Sequence, residues 1–373
     1  MVDSATLGGG FADTTSHIGQ VDSFLRLGGD SMAAIKLAGL ARRQGLALTV
    51  GHIYDHETLI EMAAAISTQT LDSANIASFS LLSEPDGRDA MIDLAMRQCQ
   101  LSDAGEIEDL YPCTPLQEGL MALTAKRPGA YTFATEYELP SHINIESFKR
   151  AWDEVSEANP ILRTRIIQAG SGSMYQAVIC GVLPWEYFDN HGPDMTKWQD
   201  WQVGQRLVRL YMNQRLSTTE PFRFILVLHH AISDGWAMPL LLEQVEAAYK
   251  GTSLLSRPFN GFIKYILQIR NEDEAFWKMQ FAGLNAAIFP VVPSPGYVPN
   301  PTIKKKCVIA TDPTAGVFTI SNKIKLAWAI LLALYTESPD VVFGTISTGR
   351  GAPVLGVEEM TAPTTAQSQF VCA

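Results

Sequence analysis

Clustered positive charge is what this sequence has least of. Its 373 residues hold 28 Lys and Arg against 39 Asp and Glu, a formal charge of -11, and the only basic run is Lys304 to Lys306. Neutralising nucleic-acid phosphates or an anionic membrane surface takes clustered cations, so neither nucleic acid nor membrane is expected as a partner. Long apolar stretches are missing too: Leu326 to Tyr335 is about half the ~20 residues that span a bilayer. Met1 to Phe11 shows no basic-then-apolar leader. The five cysteines (Cys99, Cys113, Cys180, Cys307, Cys372) are odd in number, scattered and without a Cys-x-x-Cys pair, which excludes a disulfide framework or zinc site as a reading. These absences together point to a reducing, cytoplasmic setting. Apolar residues are plentiful: 47% hydrophobic against 18% charged is enough to bury a core and too apolar for a disordered chain. At ~100 to 200 residues per domain, two domains are expected.

Residues 1–20 are rich in Gly, Ser, Thr and Asp without apolar periodicity and read as a flexible lead-in. Met32, Ile35, Leu37 and Leu40 recur at helical spacing, predicting a helix from Ser31 to Gln44 with Ser31 as its cap and Gly45 as its stop. A second short helix is expected over Glu57 to Ser67. The polar stretch Thr68 to Gly87, with Pro85-Asp86-Gly87, marks a domain boundary, and 69–106 is read as linker. Beyond it, helices are expected over Ala90–Cys99, Ile145–Glu157, Met238–Tyr249 and Lys323–Thr336. Strands are expected over Tyr131–Leu139, Arg223–Leu228 and Val341–Ile346, an alternation that implies α/β layers.

Two strings carry chemistry. The first runs Asp22-Ser-Phe-Leu-Arg-Leu-Gly-Gly-Asp30-Ser31-Met32. Taken alone, Ser31 reads as a helix cap, and with no Lys-Ser or Lys-Thr after the glycines it is not a phosphate loop. The whole string resembles the carrier (thiolation) domain of nonribosomal peptide synthetases. That resemblance implies a 4′-phosphopantetheine arm on Ser31, with Asp30 the acid beside it and the glycines exposing the loop. A phosphodiester at a helix amino terminus is also favourable physically.

The second string is Leu228-His229-His230-Ala-Ile-Ser-Asp234-Gly235-Trp236. Adjacent residues of a strand face opposite ways, so only one histidine faces a given cleft, and His230 shares its face with Leu226 and Leu228. This is similar to the His-His-x-x-x-Asp-Gly signature of condensation domains, which have a chloramphenicol-acetyltransferase-like fold. The resemblance implies that His230 works at the attacking amine and that Asp234 holds the geometry through an arginine, with His229 beside them. A neutral imidazole can take or orient such a proton, and Gly235 is expected to let the loop turn and bring a backbone N–H toward a developing oxyanion.

Three further segments resemble the same family: Tyr111-Pro-Cys-Thr-Pro-Leu-Gln-Glu-Gly-Leu, Asn159-Pro-Ile-Leu-Arg163-Thr164, and Thr348-Gly-Arg350-Gly-Ala-Pro with Gly356-Val-Glu-Glu-Met-Thr-Ala-Pro. Arg163 is expected to support the core around the site, and Arg350 to pair with Asp234. The expected organisation is therefore an all-α helical-bundle carrier at 21–68 lacking its first helix, and an α/β chloramphenicol-acetyltransferase-like condensation domain at 107–366. Its second lobe is incomplete, and 367–373 form a tail, so the chain reads as truncated, with doubtful activity by itself and apolar surface uncovered from Lys323 to Ile346. The implied function is amide formation from a peptidyl or aminoacyl thioester donated by the carrier. Expected partners are an adenylation domain, a downstream carrier and a phosphopantetheinyl transferase. Terminal cyclisation or epimerisation is the enzymatic alternative, and an inert scaffold the alternative from another class. His52, Asp55 and His56 lie close in sequence but lack a metal-ligand spacing, so no metal is expected.

Overall fold

The computed structural model describes residues 18–66, 76–82, 87–189, 192–199, 201–214, 221–294, 297, 299–300, 302–309 and 318–372. They fall into two compact units, one drawn from 1–71, 274–345 and 368–373, the other from 72–273 and 346–367.

The carrier region holds three helices, α1 (Ser31–Arg43), α2 (Val50–Asp55) and α3 (Leu59–Ala65). Each starts on an oxygen-bearing side chain: Asp30, Thr49 and Thr58 accept from the N–H of Ala33, His52 and Glu61. First-turn N–H groups have no partner within a helix, so these side chains fix where each one begins. The helix expected over Glu57–Ser67 is thus shorter, because Thr58 and Glu61 cap each other's backbone ahead of Leu59. Ala34, Ala38, Ala41, Leu48, Ile53 and Met62 form the core between the helices. The lead-in expected over 1–20 lies outside the described residues except for 18–20. There the chain is already tied down, with Ile60 N–H donating to the Gln20 carbonyl at 2.9 Å.

The second unit begins within the 69–106 stretch read as linker, and the helix expected there over Ala90–Cys99 is present, starting two residues earlier. In α4 (Arg88–Cys99), Met91, Ala95 and Cys99 recur every four residues and pack on Leu110, Ile167, Tyr175 and Ala177. The Phe79 N–H donates to Asp109 at 2.6 Å, and the Arg88 guanidinium lies 4.2 Å over the Phe79 ring. The elements that follow are β1 (Ile107–Pro112), α5 (Pro115–Lys126), β2 (Thr132–Leu139), α6 (Ile145–Ala158), β3 (Thr164–Gln168), β4 (Met174–Ile179), β5 (Trp185–Phe188), β6 (Val208–Asn213), β7 (Phe222–His229), α7 (Ala237–Tyr249) and α8 (Asn260–Gln280).

Two sheets carry this unit, one ordered β1-β4-β3 and one ordered β2-β7-β6-β5. Pairing is antiparallel except between β5 and β6. Every residue of β4 is buried, as is β7 from Phe224 to His229, which is why β7 reads as an unbroken apolar run up to Leu228 and β4 as one interrupted only by Gln176. α6 lays Phe148, Ala151, Trp152 and Val155 against the sheet, with the Trp152 ring 5.4 Å from Phe224. Truncating such a buried aromatic costs ~3 to 5 kcal/mol.

In the first unit, α9 (Ile320–Thr336) precedes β8 (Val341–Ser347) and β9 (Ala366–Cys372), and the two strands form a sheet. The tail expected over 367–373 is therefore a strand over its described residues, with Phe370 stacked on Phe343 at 4.7 Å. α9 buries Ala329 and Leu332 but leaves Ile324, Leu326, Trp328, Ile330, Leu334 and Tyr335 exposed. Among the described residues, no helix is long and apolar enough to cross a membrane.

Candidate functional site

Asp30, rather than Ser31, caps α1: its Oδ1 accepts from Ala33 N–H at 2.8 Å. Ser31 is instead the first helical residue, exposed, with no hydrogen bond to its hydroxyl among the described residues. The loop before it is shaped by two glycines with different jobs. Gly28 sits at φ +89, a conformation that favours glycine. Gly29 donates to the Phe24 carbonyl at 2.9 Å, and a Cβ there would stand 2.5 Å from the Phe24 ring. The glycines therefore fold the loop back on Phe24, and the freed hydroxyl follows from Asp30 taking the capping role.

The two histidines meet different surroundings. His229 ends β7 with no exposed surface, and its Nε2 is 2.9 Å from Thr124 Oγ1. Thr124 donates its own proton to the Leu120 carbonyl at 2.8 Å, so Nε2 must be the donor to Thr124. His229 Nδ1 accepts from Ala231 N–H at 3.1 Å, which completes a neutral imidazole with every hydrogen bond made. Burial first, and the neighbouring His230 second, push its pKa down to about 4.

His230 lies one residue past the strand, in the turn, so strand alternation does not itself set its direction. Its N–H donates to the Tyr131 carbonyl at 2.8 Å, and its ring meets Phe133 edge-on at 4.5 Å. Nδ1 is 2.8 Å from the Ser233 carbonyl. A carbonyl only accepts, so Nδ1 carries the proton and Nε2 presents its lone pair. Among the described residues, Nε2 has no hydrogen-bond partner.

Asp234 and Arg350 form the rigid part of the site. Arg350 is fully buried, and its Nη2 lies 3.2 Å from Asp234 Oδ1. It also donates to the carbonyls of Val357 at 2.8 Å and Ala362 at 2.7 Å, and to that of Met360. The Asp234 carboxylate accepts further from Trp236 N–H, Ala237 N–H, Thr364 N–H and the Thr365 hydroxyl at 2.8 to 3.1 Å. A buried ion pair is retained without loss only when its remaining donors and acceptors are met; here five groups converge on the carboxylate, while the Arg350 Nε alone of the guanidinium is left without a partner among the described residues. This pins the turn after His230 to the 348–365 segment.

Gly235 has open space around it: a Cβ there would meet nothing within 4 Å, and its φ is not in the left-handed region. The turn therefore does not require a glycine. Arg163 donates to the Ser156 carbonyl at 3.0 Å and the Ile179 carbonyl at 2.9 Å, and pairs with Glu108. It ties α6 to β1 and β4, and none of these partners belongs to the His230 cluster.

Three further side chains support the site; Gln117 and Asn159 lie in segments marked by the resemblance, but the role of none of the three is readable from the sequence. Gln117 Nε2 donates to the Ala231 carbonyl and to Gln176 Oε1, both at 2.9 Å. Thr124 fixes His229. Asn159 Oδ1 accepts from the Thr361 hydroxyl at 2.7 Å. A capping pattern, Thr114-Pro-Leu-Gln117, is readable, but the partners of Gln117 in the fold are not.

Residues 107–363 match the family described as Condensation domain. The chain belongs to the condensation-domain family. Upstream, residues 14–66 match the family described as Phosphopantetheine attachment site, so the carrier match starts ahead of residue 21. Among curated proteins, the chain is 38% identical over 354 residues to the nonribosomal peptide synthetase otaB of Aspergillus carbonarius, covering 94% of this chain and 19% of that protein. It is 37% identical over 359 residues to fmqA of Aspergillus fumigatus, covering 93% of this chain and 9% of that synthetase. The chain thus spans less than a fifth of the length of these relatives.

Solved structures show the fold. Holo T3CT superposes with a TM-score of 0.60 at 21% identity, covering 79% of this chain and 68% of that one. The starter condensation domain of rhizomide synthetase RzmA gives 0.53 at 15% identity, covering 71% and 67%. The expected α/β condensation fold with a helical carrier is therefore present. The carrier is the site for covalent 4′-phosphopantetheine attachment, and its residues fit that group: an exposed, unbonded hydroxyl at the first position of a 13-residue helix can accept a phosphodiester beside free N–H groups.

Proposed function

We propose that this condensation domain forms an amide bond between an acyl group carried on Ser31 and an amine presented by another part of the synthetase. The observation that carries the reading is the fixed tautomer of His230, whose Nδ1–H goes to the Ser233 carbonyl at 2.8 Å and whose Nε2 is left to accept a proton or hydrogen bond from an attacking amine. The 4′-phosphopantetheine arm on Ser31 supplies the thiol that holds the acyl group as a thioester. Asp234 and Arg350 hold the turn, His229 packs and orients it, Gly235 leaves room beside it, and Arg163 keeps the supporting core together.

The proposed partners are an adenylation domain that loads the arm, a downstream carrier that presents the amine, and a phosphopantetheinyl transferase that recognises Asp30-Ser31. We place the reaction in the cytoplasm, a reading supported by the free thiols of Cys99, Cys113, Cys180 and Cys307. The test is mass analysis of acyl transfer from a loaded Ser31 in the synthetase containing this chain. His230→Ala should lower amide formation by ~10² to 10⁴ while leaving arm attachment intact. Unchanged product would refute the assignment, and a cyclic product would redirect the reading to an internal amine.

A further inference from the structure

Away from the His230 cluster, the second unit holds a cavity of about 320 Å³ lined chiefly by the 98–100 segment, Arg165, Glu186, the 202–206 loop and Arg209. Three arginines and one glutamate face it, in a chain whose formal charge is -11. Arg165 and Arg206 sit directly opposite each other across an isolated antiparallel bridge. Like charges in that position repel. Partial burial of its guanidinium end first, and the charge of Arg165 second, lower the pKa of Arg206.

Arg165, Arg209 and Gln205 each keep one buried polar atom unmatched. Arg165 spends Nη1 on the Cys99 carbonyl at 2.7 Å, and Arg209 lies 3.7 Å from Glu186 and 5.2 Å over Trp201. Yet the Nε atoms of Arg165 and Arg209 are buried without a partner, as is Gln205 Oε1. Buried polar atoms are rarely left so. Two unmet donors and two facing guanidinium groups call for an anion, and an unmet acceptor beside them calls for a hydroxyl or amide N–H on the same molecule. Arginine is the side chain suited to phosphate oxygens, and the volume matches that of small-molecule sites.

We propose that this cavity binds an organic phosphate ester, held by Arg165, Arg206 and Arg209 with Gln205 accepting from the ligand's own donor. The proposal stands independently of the roles given to Ser31 and His230. Two sources share the chemistry: the phosphate end of a phosphopantetheine arm, and a free nucleotide.

The test is titration calorimetry and thermal unfolding of the chain with 4′-phosphopantetheine, pantetheine, adenosine monophosphate and inorganic phosphate. The expected result is that the phosphate esters bind and raise the unfolding temperature while pantetheine does not, and that Arg206→Gln weakens binding by roughly tenfold or more. Because Arg206 is exposed, this variant should fold, and without ligand it should be slightly more stable than the parent as the repulsion is relieved. Preference for 4′-phosphopantetheine would identify the arm as the source, and equal binding of adenosine monophosphate would identify phosphate esters in general; both uphold the site. No binding of either ester, binding by inorganic phosphate alone, equal binding of pantetheine, or full binding by Arg206→Gln would each overturn it.

Discussion

Ser31 and His230 are set up in opposite ways. Ser31 stands exposed at the head of α1, its neighbour Asp30 doing the capping and its hydroxyl bonded to nothing described. His230 is clasped on one nitrogen, its N–H is held by Tyr131, and the aspartate four residues on collects five donors. In the roles proposed for them, a residue that receives a long, mobile group gains from freedom. A residue that must present a lone pair at a fixed point gains from a preorganised surrounding that needs no rearrangement at the moment of reaction.

The contrast is broken most sharply at Ser31. Ser31→Ala should abolish arm attachment altogether, read as the loss of one phosphopantetheine mass increment after incubation with coenzyme A and a transferase. Unfolding free energy should stay within about 0.5 kcal/mol, as for other exposed positions free of structural duties. A large loss of stability would show that Ser31 has a packing role the structure does not display.

Asp234→Ala should behave the other way round. It leaves the Arg350 guanidinium buried and unpaired, and removing one partner of such a pair costs ~3 to 5 kcal/mol. Chemical denaturation should show that loss in the condensation region while Ser31 is still modified. A cost near zero would mean that Arg350 is held by the carbonyls of Val357, Met360 and Ala362 alone.

Much of this division could be read from residues before any coordinates. The Asp-Ser and His-His-x-x-x-Asp-Gly strings are local, and an apolar run such as Phe224 to Leu228 announces a strand buried on both faces. Arg350 could be anticipated because the resemblance to condensation domains implied an arginine partner for Asp234 and the 348–350 segment offered one. What stayed hidden depends on chain paths. Gln117 meets the Ala231 carbonyl across 114 residues, and nothing near it in sequence indicates that. The helix α4 was legible over Ala90–Cys99, but the partners of its buried face, Leu110, Ile167, Tyr175 and Ala177, were not. At the start of α1 the sequence pattern pointed to Ser31 as the cap, and the bond from Ala33 N–H to Asp30 corrects it.

His229 gives the next largest effect, and it is a pH effect. Its folded pKa of about 4 lies below the ordinary histidine value of about 6.5, so between these values the unfolded chain binds a proton that the folded chain refuses. The stability is fully present above pH 6.5 and is lost as pH falls toward 4, by up to about 3 kcal/mol. Unfolding free energies measured across that window should show this fall. His229→Gln, which keeps an amide N–H for Thr124 but cannot titrate, should flatten it. A parent protein equally stable at pH 4.5 and 7 would show that the imidazole is not sealed from water.

The smallest effect tests the cap. Asp30 is the only side chain that satisfies an N–H of the first turn of α1 among the described residues, and its charge also lies at the positive end of the helix dipole. Asp30→Ala should therefore cost about 1 kcal/mol of carrier stability, seen as earlier loss of helical signal on heating. Asp30→Asn should recover most of it, since the amide oxygen can accept from Ala33 as well. The two substitutions separate capping from recognition by the modifying enzyme. If the transferase needs only a well-formed helix start, Asp30→Asn will be armed as readily as the parent. If it reads the carboxylate beside Ser31, Asp30→Asn will restore stability but not the rate of arm attachment, and Asp30 then has a second role that its bond to Ala33 does not reveal.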